Sequence, residues 1–110
     1  NSTVTKTMVV TPPVQSVDLT VYGDDFGLYP QNITVNRGNR VKLTFRVSDT
    51  NVYQGSLVFR DNVGGKYFDT GKVSPGTFMT VIFTANQTFT YKSYGFSGGA
   101  AKATGTVNVV

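Results

Sequence analysis

Tyr91-Lys92-Ser93-Tyr94-Gly95-Phe96-Ser97-Gly98-Gly99-Ala100-Ala101-Lys102-Ala103-Thr104-Gly105 lies between the strand-like run Phe89-Thr90-Tyr91 and the closing run Thr106–Val110. It is rich in Gly and other small residues and reads as a loop joining two strands. Its spacing is more informative than its composition. Ser93, Ser97, Ala101 and Thr104 follow one another at intervals of four, four and three residues. Small polar or apolar side chains at such intervals carry no chemistry alone, so their meaning depends on the rest of the chain.

Outward from that stretch, the composition is that of one β-domain. The 110 residues include 39% hydrophobic and 13% aromatic side chains, enough for a core and too well patterned for disorder. There is no Glu, while Thr, Val, Tyr and Phe are frequent, a bias toward pleated, half-buried backbone. Cys and His are both absent, which removes disulfides, thiolates and imidazoles from any mechanism. The net charge of +4 is spread along the strands and not gathered in one block. Arg40, Lys42 and Arg46 alternate with Val41, Leu43, Phe45 and Val47, the pattern of a strand with one solvated face. That reading is preferred to an anionic partner, and no stacking platform for nucleic acid stands out.

In chain order, Ser2–Val10 alternates with Val4, Met8 and Val10 on one face, then meets Thr11-Pro12-Pro13-Val14-Gln15-Ser16. Prolines cannot donate to a ladder and favour extended backbone, so residues 1–16 read as a strand-like arm with a Pro-rich linker. The arm either folds back as an edge strand of its own domain or pairs with another molecule's sheet. Residues 17–110 read as the sandwich. Strands are expected at Val17–Tyr22, Gln31–Asn36 (with Ile33 and Val35 inward), Arg40–Val47, Gly55–Arg60, Thr77–Thr84 and Thr88–Lys92, with Lys66–Thr70 a short strand or loop. Turns are expected at Asn36-Arg37-Gly38-Asn39, Asp61–Gly65, Val73-Ser74-Pro75-Gly76 and Asn86-Gln87. Eight or nine short strands with regular turns make an all-β sandwich or small barrel.

Several of these pieces, in fixed order, resemble the cupredoxin family, especially the copper-binding domain of subunit II of haem–copper oxidases. The run Phe26-x-x-x-Pro30-x-x-Ile33-x-Val35-x-x-Gly38-x-x-Val41 resembles the opening of that domain, and Val73-Ser74-Pro75-Gly76 its V-x-P-G turn. Asn86-Gln87 departs from the family's usual Pro-Gly. The resemblance covers about 17–110 and implies a Greek-key β-sandwich. It also implies that Gln54, Ser93, Ser97, Ala101 and Thr104 stand where the family carries its copper ligands. Thiolate, imidazole and thioether donors are what such copper requires, and none is present at these positions. No metal and no cofactor is therefore expected, and no electron transfer.

Other candidates give bland readings. Ser93 and Ser97 have no His, and neither Lys92 nor Lys102 forms a recognised Ser–Lys arrangement, so no catalytic constellation is expected. Asp24-Asp25 matches no calcium loop and reads as a solvated bend. Asp61, Asn62 and Asp69 flank Gly64-Gly65 for backbone reasons. Tyr29, Tyr53, Tyr91, Tyr94 and Phe96 are expected to fill the volume that metal and ligands would take, with an interaction surface as the alternative.

Asn1-Ser2-Thr3, Asn32-Ile33-Thr34 and Asn86-Gln87-Thr88 fit the N-glycosylation pattern. With a first residue other than Met, and no apolar run of membrane-spanning length, they suggest an exported, soluble chain, extracellular or at the cell surface. Two functions fit. One is a non-catalytic structural subunit that self-assembles into filaments by donating its arm to a neighbour. The other is a copper-free outer domain of subunit II in a quinol-type terminal oxidase, with membrane-complex subunits as partners. A carbohydrate- or surface-binding module is a third class, weakened by the absence of Trp.

Overall fold

Two β-sheets pack face to face in the computed structural model, which describes residues 15–53, 55–95 and 98–110. Nine strands run in chain order: β1 Ser16–Gly23, β2 Leu28–Tyr29, β3 Asn32–Val35, β4 Arg40–Val47, β5 Leu57–Asp61, β6 Asp69–Val73, β7 Phe78–Thr84, β8 Phe89–Gly95 and β9 Gly98–Val109. The described residues contain no helix. One sheet has the order β2-β1-β4-β7 and the other β3-β9-β8-β5-β6. Each is mixed, because β1 runs parallel to β4 and β3 parallel to β9. The chain passes from one sheet to the other between β2 and β3, across Pro30, whose bond to Tyr29 is cis. The expected arm, with Val4, Met8, Val10 and the Asn1 sequon, lies outside the described residues.

Alternation places the core. In β4, Val41, Leu43, Phe45 and Val47 are buried while Arg40, Lys42 and Arg46 are exposed. Ile33 and Val35 turn inward from β3, as their spacing predicts. Between the sheets the aromatic rings interlock. Phe45 stacks on Phe59 at 4.5 Å between centroids and meets Tyr91 edge-on at 5.5 Å, while Phe68 lies against Phe83, Phe89 and Tyr91. Burying each such ring contributes about 2–3 kcal/mol. The packing is also tight against backbone. A Cβ on Gly105 would lie 2.5 Å from Tyr91 Cζ, so β9 must carry glycine opposite that ring.

Two expectations need correction. The segment after β5 enters its strand later than expected, at Asp69 and not Lys66, because Asp61 claims the intervening backbone. Asp61 is buried, and its carboxylate accepts the N–H groups of Val63, Gly65, Tyr67 and Phe68. A backbone whose donors point inward at one carboxylate cannot also form a ladder. The second correction concerns the stretch from Tyr91 to Gly105. It is not a loop: its described residues form most of a β-hairpin. Lys92 pairs with Thr104 and Ser93 with Ala103, with register shifts beyond Ser93. Small residues mask the alternation there, and pairing with neighbouring strands supplies the order that side-chain pattern does not.

Candidate functional site

The hairpin β8–β9 carries three of the positions singled out by spacing, and it separates them. Ser93 faces the core, fully buried, opposite Phe59 on β5 and Ala103 on β9. Ala101 and Thr104 are exposed. Thr104 pairs with Lys92, one residue out of phase with Ser93, and so lies on the opposite face of the sheet. The remaining two positions, Gln54 and Ser97, lie outside the described residues, as does Phe96.

The expected aromatic filling is only partly present. Tyr91 is buried in the core, Tyr94 is half-buried, and Tyr29 and Tyr53 are 50% and 72% exposed. Tyr53 instead meets the equally exposed Phe26 edge-to-face at 6.3 Å. Phe45 and Phe59, already stacked in the core, leave these tyrosines nothing to fill.

The Asp24-Asp25 bend is not solvated as expected; both carboxylates are built into the structure. Asp24 Oδ1 accepts hydrogen bonds from the N–H groups of Phe26 and Gly27, at 2.8 and 3.0 Å, and from the Tyr29 hydroxyl. Asp25 Oδ2 accepts the Tyr53 N–H at 2.9 Å, and its Oδ1 lies 3.0 Å from Lys102 Nζ on β9. The Asp25 N–H donates to the Asn51 carbonyl. Asp25 therefore ties the segment preceding Gln54 to the strand carrying Ala101 and Thr104. Burial works to raise the Asp25 pKa, but the Tyr53 N–H and the Lys102 charge outweigh it and hold the carboxyl below its usual range. At Asp61, burial is likewise overcome by four backbone donors, and the pKa is again lowered.

Two open clefts flank this end of the sandwich. One, of about 350 Å³, is lined by Tyr22, Tyr29, Arg46, Ser48 and Asp49. The other, of about 480 Å³, lies between Phe26, Gln31, Lys102 and Thr104. Lys102 is engaged by Asp25, and Gln31 Nε2 donates to the Thr104 carbonyl. In the first cleft the Tyr29 hydroxyl and the Asp24 carboxylate are hydrogen-bonded to each other. Buried hydroxyls at Ser56, Tyr67, Tyr91 and Ser93 have no protein partner, and burial pushes the Tyr91 phenol well above its ordinary pKa.

This fold is shared by solved structures. The fold is cupredoxin-like. The chain superposes on the multicopper oxidase mgLAC with a TM-score of 0.63 at 15% identity, covering 86% of this chain and 38% of that one. It superposes on a chain of a haem–copper terminal oxidase dimer with a TM-score of 0.67 at 11% identity, covering 99% and 78%. Fet3p, a multicopper oxidase that functions in iron import, matches with a TM-score of 0.55 at 16% identity, over 86% and 23%. This chain thus spans less than two-fifths of either multicopper oxidase. No protein-family model matches it, and no curated protein matches it in sequence.

Cupredoxin-like domains in oxidases imply copper, and the residues here do not fit it. The chain has neither Cys nor His, and among the described residues no three carboxylate, thiol or imidazole side chains gather. The Ser93 hydroxyl points into the core while Ala101 and Thr104 face away from it, so these positions do not converge on one point. The backbone role read for Asp61 beside Gly64-Gly65 holds, and it extends to the N–H groups of Tyr67 and Phe68. Sequence reasoning missed the part played by Asp25, because nothing local pointed to its pair with Lys102, which joins residues distant in sequence.

Proposed function

We propose that this chain is a non-catalytic, extracellular β-domain acting as a structural, self-assembling subunit. The observation that carries the reading is the divergence of the ligand-position residues: one lies in the apolar core, and two lie on the outer surface of a paired hairpin. A frame built that way supplies rigidity and surface, not a reaction centre. The N-terminal residues Val4, Met8 and Val10 supply an apolar edge that a neighbouring sheet could accept. An exported location is supported by the sequons at Asn32 and Asn86, both exposed, with Asn86 in the turn between β7 and β8. Electron microscopy of the purified full-length chain tests the reading. Filaments or short head-to-tail oligomers are expected, and a monodisperse monomer at high concentration contradicts it.

A second reading takes support from one likeness. The superposition on a chain of a haem–copper terminal oxidase dimer covers nearly all of this chain and most of that one. On that reading the chain is a copper-free outer domain of subunit II in a quinol-type oxidase, where it would be scaffold and docking surface. Among the described residues no helix is long and apolar enough to cross a membrane. Co-purification of the native protein with a haem-containing membrane complex would favour this reading over assembly.

A further inference from the structure

We infer that the free edge of β7, Phe78–Thr84, is the acceptor for the N-terminal segment of a second copy of this chain. The inference rests on the self-assembly reading and names the surface that reading leaves open.

β7 is the last described strand of its sheet. It pairs with β4 from Arg40–Thr84 to Arg46–Phe78, and no described strand lies beyond it. Terminal strands present a row of unpaired backbone groups, and natural sheets blunt them with shortness, charge, proline or bulges. The other sheet ends here are blunted. β2 has two residues, β3 has four, and β6 carries Asp69, Gly71 and Lys72. β1 is flanked by β2 only at Tyr22 and Gly23, and its outward residues Ser16, Asp18 and Thr20 are polar. β7 has no such protection: Phe78-Met79-Thr80-Val81-Ile82-Phe83-Thr84 contains no charge, no proline and no glycine.

Its side chains are also unfinished on both faces. Phe78 and Ile82 are 58% and 60% exposed on the outer face. Met79, on the face that should be core, is 40% exposed, and Val81 beside it is only half-buried. An added strand would bury all four. Removing such apolar area from water is the main driving term for strand addition, and ladder hydrogen bonds set its register.

The occupant is identified by length, pattern and charge. Seven residues of β7 span about 23 Å, which a seven-residue strand matches. The segment Ser2–Val10 is long enough and alternates, and its single charge, Lys6, shares a face with Val4, Met8 and Val10 on a stem long enough to carry the ammonium out to solvent. In the same chain β1 starts beside Arg40, and β4 and β7 both separate it from the free edge. Pro12-Pro13 favour extended backbone, which directs the preceding segment away from its own sheet and toward a second copy. Because the donated segment and the accepting edge are different surfaces, the contact is head to tail and leaves one of each unused at the ends.

Two full-length variants decide the matter. Ile82→Lys puts a charge on the acceptor at a side chain the monomer already exposes. Val4→Asp/Met8→Asp/Val10→Asp spoils the donor and leaves the edge intact. By size-exclusion chromatography with light scattering, the wild type should give a ladder of oligomers and each variant alone a folded species of 11.9 kDa. Their equimolar mixture should give a 1:1 heterodimer and nothing longer, since each copy lacks what the other keeps. If Ile82→Lys assembles like the wild type while the donor variant stays monomeric, the β7 assignment is overturned and arm-driven assembly survives. If the donor variant also assembles like the wild type, assembly through the N-terminal segment falls, whereas a wild type that stays monomeric overturns the self-assembly reading itself. A mixture that stays monomeric overturns the complementary pairing of these two surfaces.

Discussion

At Asp61, one buried carboxylate accepts four backbone N–H groups and shapes the whole connection between β5 and β6. Its amide isostere cannot replace it, because the Asn NH₂ would face donors. Asp61→Asn should therefore lower stability by about 3 kcal/mol, measured by urea unfolding. The pH dependence follows from the lowered pKa. An unfolded Asp titrates near about 3.9, above the folded-state value, so as pH falls the unfolded chain takes up its proton first. Stability should be flat above roughly pH 5, decline through pH 4 and continue down as the folded-state pKa is approached. Asp25 is shifted the same way, so Asp61→Asn should flatten most of that acid limb but not all of it. Lys102→Met tests the second carboxylate. It leaves Asp25 with the Tyr53 N–H but no counter-charge, at a site where the Asp25 side chain is only 9% exposed. A loss of about 2 kcal/mol is expected, and an unchanged urea midpoint would remove the tie from the account.

Among the elements, β4 was legible at once, because Val41, Leu43, Phe45 and Val47 alternate with charged or polar residues. So was the turn before β7. Pro75 and Gly76 sit at its centre, Gly76 has φ 78°, and the Thr77 N–H donates to the Ser74 carbonyl at 3.1 Å. Gly76→Ala should cost about 1 kcal/mol in thermal or urea unfolding, since an alanine resists that backbone conformation. The hairpin β8–β9 was legible as strand only at its ends, up to Lys92 and from Thr106 onward. From Gly98 to Gly105 its residues are Gly, Ala, Lys and Thr, whose order comes from cross-strand partners and not from an alternating pattern of their own. The candidate site failed to read for a related reason. Spacing identified Ser93, Ala101 and Thr104, but which face each takes depends on the register shift in the hairpin, and that is a property of the pair of strands. Tyr29 and Tyr53 were expected to fill the volume that metal and ligands would take; both are exposed, and the core is filled by phenylalanines drawn from β4, β5, β7 and β8 together with Phe68.

For the whole molecule, the sandwich is cupredoxin-like, and the Asp25–Lys102 ion pair joins the segment preceding Gln54 to β9 at one end. On the proposed reading, the surface and the N-terminal segment are the parts that act. Sedimentation velocity of the full-length chain, run with excess copper and again with a chelator, tests this most directly. Species well above the 11.9 kDa of one chain, with the same distribution in both runs, are predicted. A single monomeric boundary, or a distribution that forms or dissolves with copper, would contradict the account.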